Sequence, residues 1–165
     1  MPALSGPRQG AGLLGWLAVC FVAAGIGALA SVNAATFYAR LAQPAWAPPA
    51  AAFGPVWTTL YALMAIAAWL VWRRDGFRGA RGALALFLIQ LAVNALWSWL
   101  FFVWHLGAAA FVGTLVLWGL IVATLAAFWQ ESRPAGALLL PYLAWVTLAT
   151  ALTWHVWQAN PQLLG

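Results

Sequence analysis

Polar and apolar positions along this chain do not alternate with a helical or strand period; they are segregated into long blocks. Charged residues fall only at Arg8, Arg40, Arg73, Arg74, Asp75, Arg78, Arg81, Glu131 and Arg133. Between them lie uncharged stretches 9–39, 41–72, 82–130 and 134–165, of 31, 32, 49 and 32 residues. A helix that crosses a bilayer needs about 20 mostly apolar residues. Three stretches therefore fit one span each, and the longest fits two. His105-Leu106-Gly107 divides that longest stretch at a tight turn. The pattern predicts spans near 12–32, 54–72, 84–104, 108–129 and 136–157. Runs of Ala, Leu, Val, Trp and Phe argue for helices, because a spanning barrel shows short alternating segments instead. The predicted class is an all-α integral membrane protein, a bundle of five transmembrane helices. Its single domain covers about 11–160, with a structured loop at 33–53, a flexible tail at 1–10 and a short C-terminal tail at 161–165.

Composition agrees. Of 165 residues, 66% are hydrophobic and 5% are charged. A soluble domain carries about 25% charged residues, so an ordinary soluble enzyme and a disordered chain are both excluded. The net charge of +5 comes from arginines scattered at loop positions, not from a basic face, which argues against nucleic acid as a partner. The basic residues are all arginine, and Ala and Gly abound. That bias points to a GC-rich genome and to a bacterial cell membrane. Six of the seven arginines fall in the tail, the 73–83 loop and the 130–135 loop, which share one side. The positive-inside rule puts that side, with the N-terminus, in the cytoplasm and the C-terminus outside. Arg8 and the following apolar run resemble a secretory signal, but the run from Gly12 to Val32 exceeds the usual apolar region of about 7–15 residues. It reads as a first span.

Four features carry candidate chemistry. Pro44, Pro48, Pro49 and Pro55 forbid a continuous helix through most of 37–61, so Trp46 sits in a non-helical lid, and Pro55 suits the start of the second span. Gln90 and Asn94 share one helical face with Trp97 and Ser98, and amides are costly against lipid. That face should point into the bundle, either lining a pocket or tying helices together. Trp57 and Tyr61 share a second face; Tyr142, Trp145 and Ala149 share a third. Thirteen tryptophans exceed ordinary use. Trp16, Trp72, Trp104, Trp129, Trp154 and Trp157 lie near span ends, as an interfacial belt does. Trp57, Trp97, Trp118 and Trp145 lie deeper, and some should face an internal cavity. Indole and phenol walls with two amides suit a large, flat, mostly apolar ligand.

Other features are weaker. His105 and His155 have no partner at metal-ligand spacing and read as interfacial groups, so no metal site is expected. Cys20 reads as a small core residue. Ala23, Gly27 and Ser31, like Ala109 and Gly113, allow close helix contact or dimerisation. No ionisable residue falls inside a span, which disfavours a proton-coupled carrier. Two carboxylates, both in loops, leave hydrolytic acid–base chemistry almost nothing to work with.

Six motifs occur in order: Phe37-Tyr38, Pro44-x-Trp46-x-Pro48-Pro49, Gly54-Pro55-Val56-Trp57-Thr58-x-Leu60-Tyr61, Gln90-Leu91-x-x-Asn94-x-x-Trp97, Phe101-Phe102 and Pro141-Tyr142-Leu143-x-Trp145. Over about 37–157 the chain resembles the tryptophan-rich sensory protein family, which includes the mitochondrial translocator protein. The resemblance implies a five-helix bundle, commonly a homodimer, with a pocket beneath the first loop between spans one, two, three and five. It implies porphyrin (protoporphyrin IX or a haem-related tetrapyrrole) as the ligand, with no required cofactor. Matching pocket positions are Tyr38, Trp46, Trp57, Gln90, Asn94, Trp145 and Ala149; Tyr61, Trp97 and Tyr142 share their faces. Trp57 and Trp145 match aromatic positions linked to light-dependent porphyrin breakdown. Arg40, alone on the loop side, is the expected partner of a propionate. Gln43 and Thr153 depart from the family pattern. The family's proposed sterol motif needs a Lys or Arg after span five, and no such residue follows Arg133. Three functions are thus open: a receptor or sensor, a photo-oxidative porphyrin-degrading enzyme, and a transporter of porphyrins or other lipophiles.

Overall fold

The computed structural model describes residues 5–165. Its helices are α1 (Gly6–Ala30), α2 (Ala34–Arg40), α3 (Ala50–Gly79), α4 (Arg81–Ser98), α5 (Gly107–Glu131), α6 (Arg133–Leu138), α7 (Leu140–Ala159) and α8 (Pro161–Leu164). A π-helical turn at Trp99–Val103 extends α4. Five helices are long and apolar enough to cross a membrane: Gly6–Ala30, Ala50–Gly79, Arg81–Val103, Gly107–Glu131 and Arg133–Ala159. Large apolar side chains such as Leu14, Val22, Leu29, Val112 and Val116 are exposed around the outside. A soluble surface does not carry such a belt; in a bilayer it is the lipid-facing surface, and the protein is an integral membrane protein.

The helices run past their expected ends. Of the expected tail, residues 1–4 lie outside the described residues, and Gly6–Gly10 are already helical. Residues 161–164 form α8. The second span starts at Ala50, so Pro55 lies inside it. Proline removes one backbone hydrogen bond there, close enough to the helix start that the helix survives. The 33–53 loop also hides α2.

One end of the bundle gathers the arginines. Arg74 donates to the backbone carbonyl of Glu131, and the indole of Trp69 donates to Gln9 O at 2.9 Å. These contacts put the start of α1, the end of α3 and the end of α5 together. Arg40 lies at the other end, on α2. Around the bundle α1 packs on α3 and α4, α5 packs on α4 and α7, and α6 fits between α3 and α5. The core at the arginine end contains Met64, Ala65, Ala67, Ala68 and Val71 of α3 with Phe87 and Phe128, all fully buried. A second core at the other end joins Phe37, Tyr38 and Leu41 to Phe101, Ala110, Leu152, Val156 and Leu164.

Two tryptophans differ from expectation. Trp16 is not at the interface but buried, edge-on to Phe87 at 5.7 Å. Trp118 is 41% exposed on the lipid face. Its indole still finds a partner there, Thr147 Oγ1 at 2.9 Å. Gly27 lies 3.3 Å, measured from an ideal Cβ, from Ser98 Oγ, and Gly113 similarly meets Trp97 and Leu100. Gly27 and Gly113 thus each serve a helix contact within the chain.

Candidate functional site

The backbones of α3 and α7 barely approach each other along their length. A cavity of about 490 Å³ lies between them, capped by α2 and the proline loop. That size suits a small-molecule ligand. All five spans reach it. From α1 come only small groups, Ala24, Gly25, Gly27, Ala28 and Ser31, besides Phe21. The fourth span, not expected at the wall, adds Thr114 and Leu117. None of the lining residues is charged.

Seven of the expected residues line this cavity together: Tyr38, Trp57, Tyr61, Asn94, Trp97, Trp145 and Ala149. Trp57 tilts against Tyr61 at 5.7 Å. Trp145 meets Phe53 edge-on at 5.9 Å, and Phe53 meets Tyr38 at 5.1 Å. Trp97 stacks on Phe101 at 5.2 Å and donates to Ala110 O at 3.1 Å. The indole N–H groups of Trp57 and Trp145, in contrast, make no hydrogen bond within the described residues.

A chain of hydrogen bonds forms the polar floor. Tyr61 Oη donates to Asn94 Oδ1 at 3.3 Å. Asn94 Nδ2 donates to Tyr142 Oη at 2.7 Å, and Tyr142 Oη donates to Gln90 Oε1 at 2.6 Å. Gln90 Nε2 ends the chain on Met64 Sδ at 3.7 Å. Each phenol and amide fixes the orientation of the next, as members of a buried network do. Asn94 keeps one N–H and one lone pair for the cavity.

Four expected residues do not line the cavity. Gln90 is 1% exposed and lies behind Tyr142, its amide spent on Tyr142 and Met64. Tyr142 is likewise enclosed, a link between the two amides rather than a wall. Arg40 is exposed, because the inward face of short α2 is taken by Phe37 and Tyr38. Trp46 is 45% exposed and packs edge-on to His155 at 5.4 Å, outside the cavity. Phe53, missed in the sequence, stands four residues before Trp57 on the same helical face; that spacing was the available signal.

The cap is tied down by polar contacts. Asn160 Oδ1 accepts from Ala42 N at 2.8 Å, and Asn160 Nδ2 donates to Ala42 O at 3.1 Å and Val156 O at 2.7 Å. Tyr38 Oη donates to Pro48 O at 2.9 Å. Burial pushes the Tyr38 phenol above the usual tyrosine value, so it stays a donor. Gln43 Nε2 donates to Tyr38 O at 2.6 Å. His105, with a positive φ of 52°, stacks on Phe37 at 4.2 Å.

The sequence model of the TspO/MBR family matches residues 16–158. The chain belongs to this family. It is 41% identical to the translocator protein of Ovis aries over 126 residues, 75% of each chain. It is 39% identical to the tryptophan-rich sensory protein of Cereibacter sphaeroides over 147 residues, 89% of this chain and 90% of that one. Protein CrtK of Rhodobacter capsulatus is 36% identical over 148 residues, 88% of this chain and 91% of that one. TspO/MBR members are membrane sensor and receptor proteins, and the matched region contains every residue of the cavity wall.

Proposed function

We propose that this protein is a membrane receptor that binds a porphyrin, or a similarly flat lipophilic molecule, in the cavity beneath α2. The observation that carries the reading is the pair of indoles, Trp57 and Trp145, set in an uncharged wall with their N–H groups unspent. A macrocycle stacks on such rings and accepts from such donors. Asn94 and Tyr61 close the inner end of the cavity around the ligand. A propionate has no cation inside the cavity, so the acidic edge stays at the mouth, where exposed Arg40 is its partner. We orient the arginine-rich end toward the cytoplasm on the positive-inside rule.

Titration with protoporphyrin in the dark, followed by tryptophan fluorescence, tests this. Saturable quenching is expected, and Trp57→Phe with Trp145→Phe should weaken binding about tenfold. Unchanged affinity removes the pose. The same two indoles favour a second reading, light-driven porphyrin breakdown, in which they exchange an electron with the excited ligand and dissolved dioxygen is the oxidant that opens the macrocycle. Under illumination, bleaching no faster than in detergent alone rejects that reading and leaves the receptor.

A further inference from the structure

A second feature of the surface lies far from the cavity, at the arginine-rich end. Gly76 adopts a left-handed φ of 66° and breaks the last turn of α3. Beyond the break Phe77 is 62% exposed. One side of its ring packs on Trp16 at 6.1 Å and on Trp72 at 6.0 Å. Ala80 alone separates α3 from α4. Between the two helices runs a shallow cleft lined by Phe77, Arg78, Arg81, Leu84, Ala85 and Leu88.

The order of these residues matters. Arg81, Ala85 and Leu88 stand at i, i+4 and i+7 on α4, one stripe about 10 Å long. Its cation is at the water end, and its apolar groups run into the span. Leu84 is buried and forms the floor, whereas Ala85 and Leu88 open to the lipid. Arg78 and Arg81 make no ion pair or hydrogen bond among the described residues. Asp75 pairs with Arg74 at 3.6 Å. The other carboxylate of the chain, Glu131, is on the far helix α5, where its backbone carbonyl is held by the same Arg74. The cleft thus offers two free guanidinium groups and no acceptor for a cation.

We propose that this cleft binds one anionic phospholipid of the adjoining leaflet, its phosphate on Arg78 and Arg81 and an acyl chain along Leu84, Ala85 and Leu88 beside Phe77. Guanidinium groups hold phosphate oxygens in pairs, and basic pockets at helix ends select anionic headgroups. A choline or ethanolamine headgroup would bring its ammonium against the arginines with no carboxylate among the residues that line the cleft. The apolar stripe assigns the phosphate to a lipid rather than to a soluble ester.

Native mass spectrometry of the full chain in detergent tests the site, with phosphatidylglycerol and phosphatidylcholine of equal chain length as probes. Phosphatidylglycerol adducts should survive at about tenfold lower lipid concentration than phosphatidylcholine adducts. Arg78→Gln with Arg81→Gln should abolish that preference. Arg73→Gln with Arg133→Gln, which removes the same charge from the same end, should keep it. Ala85→Trp, which fills the cleft and leaves both cations, should lose the adduct; matching near-ultraviolet dichroism verifies that each variant is folded. Equal retention of the two lipids, equal losses in the two double variants, or displacement by equimolar glycerol phosphate would each overturn the proposal.

Discussion

The two halves of the bundle are made from the same kinds of residue and pack differently. At the arginine end, Ala65, Ala67 and Ala68 bring α3 against its neighbours and are fully buried. At the other end, Ala24, Gly25, Gly27, Ala28 and Ala149 face a cavity. Small side chains shorten the distance between helices only where nothing bulky holds them apart. In the outer half Phe53, Trp57, Trp97, Phe101 and Trp145 form such props, and α2 with the proline loop caps the gap without entering it. At the closed end α6 fits between α3 and α5. A binding cavity in this architecture is a place where aromatic rings at helical spacing stop small residues from meeting.

Five substitutions break or sharpen this contrast. The largest effect is expected from Asn160→Ala, which removes all three bonds that hold Ala42 and Val156. The loss should be about 3 kcal/mol, confined to the outer half. Hydrogen exchange should rise across 41–49 and stay unchanged in 64–71; a uniform rise would mean that the two halves are one cooperative unit. Next, Ala68→Leu should cost about 2 kcal/mol through overpacking, whereas Ala149→Leu should leave the thermal midpoint nearly unmoved and abolish ligand quenching. Equal destabilisation by both would erase the distinction between closed and open halves.

Tyr142→Phe acts where the halves meet. It strands Gln90 Oε1 and one N–H of Asn94, at about 1 kcal/mol within a membrane bundle, and it frees Asn94 to turn. Thermal unfolding should fall slightly while ligand affinity changes more. The smallest effect is that of Tyr38→Phe, which loses the bond to Pro48 O and about 0.5–1 kcal/mol. Because the folded phenol titrates above its ordinary value, the cap keeps its full stability below that value. It weakens as pH rises through it, since only the unfolded chain then ionises. Alkaline titration of exchange across 41–49 should show this fall in the parent protein and a flat response in the variant.

Much of the fold was legible because the bilayer imposes a length rule that charge placement reveals directly. The five spans, the break at His105-Leu106-Gly107 and the shared side of the arginines all follow from it. The π-helical turn at Trp99–Val103 and helix α2 did not show, since both depend on contacts between distant segments, such as His105 and Phe101 against Phe37. The site was legible as a set of faces. Helical spacing placed Trp57 with Tyr61, and Trp145 with Ala149, correctly on common sides. It could not tell that Gln90 would spend its amide on Tyr142 while Asn94, one turn away, kept capacity for the cavity.

The sequence by itself determined that the chain spans a membrane five times, which end gathers the arginines and which residues share each helical face, because those properties depend on local periodicity and on transfer to lipid. Only the tertiary structure decided which faces meet. Gln90 and Tyr142 went behind the cavity wall, Trp118 turned to lipid, Trp16 went inside and Arg40 stayed out. The physical reason is that a polar or aromatic group must be satisfied by some neighbour, and sequence spacing names the face but not the neighbour.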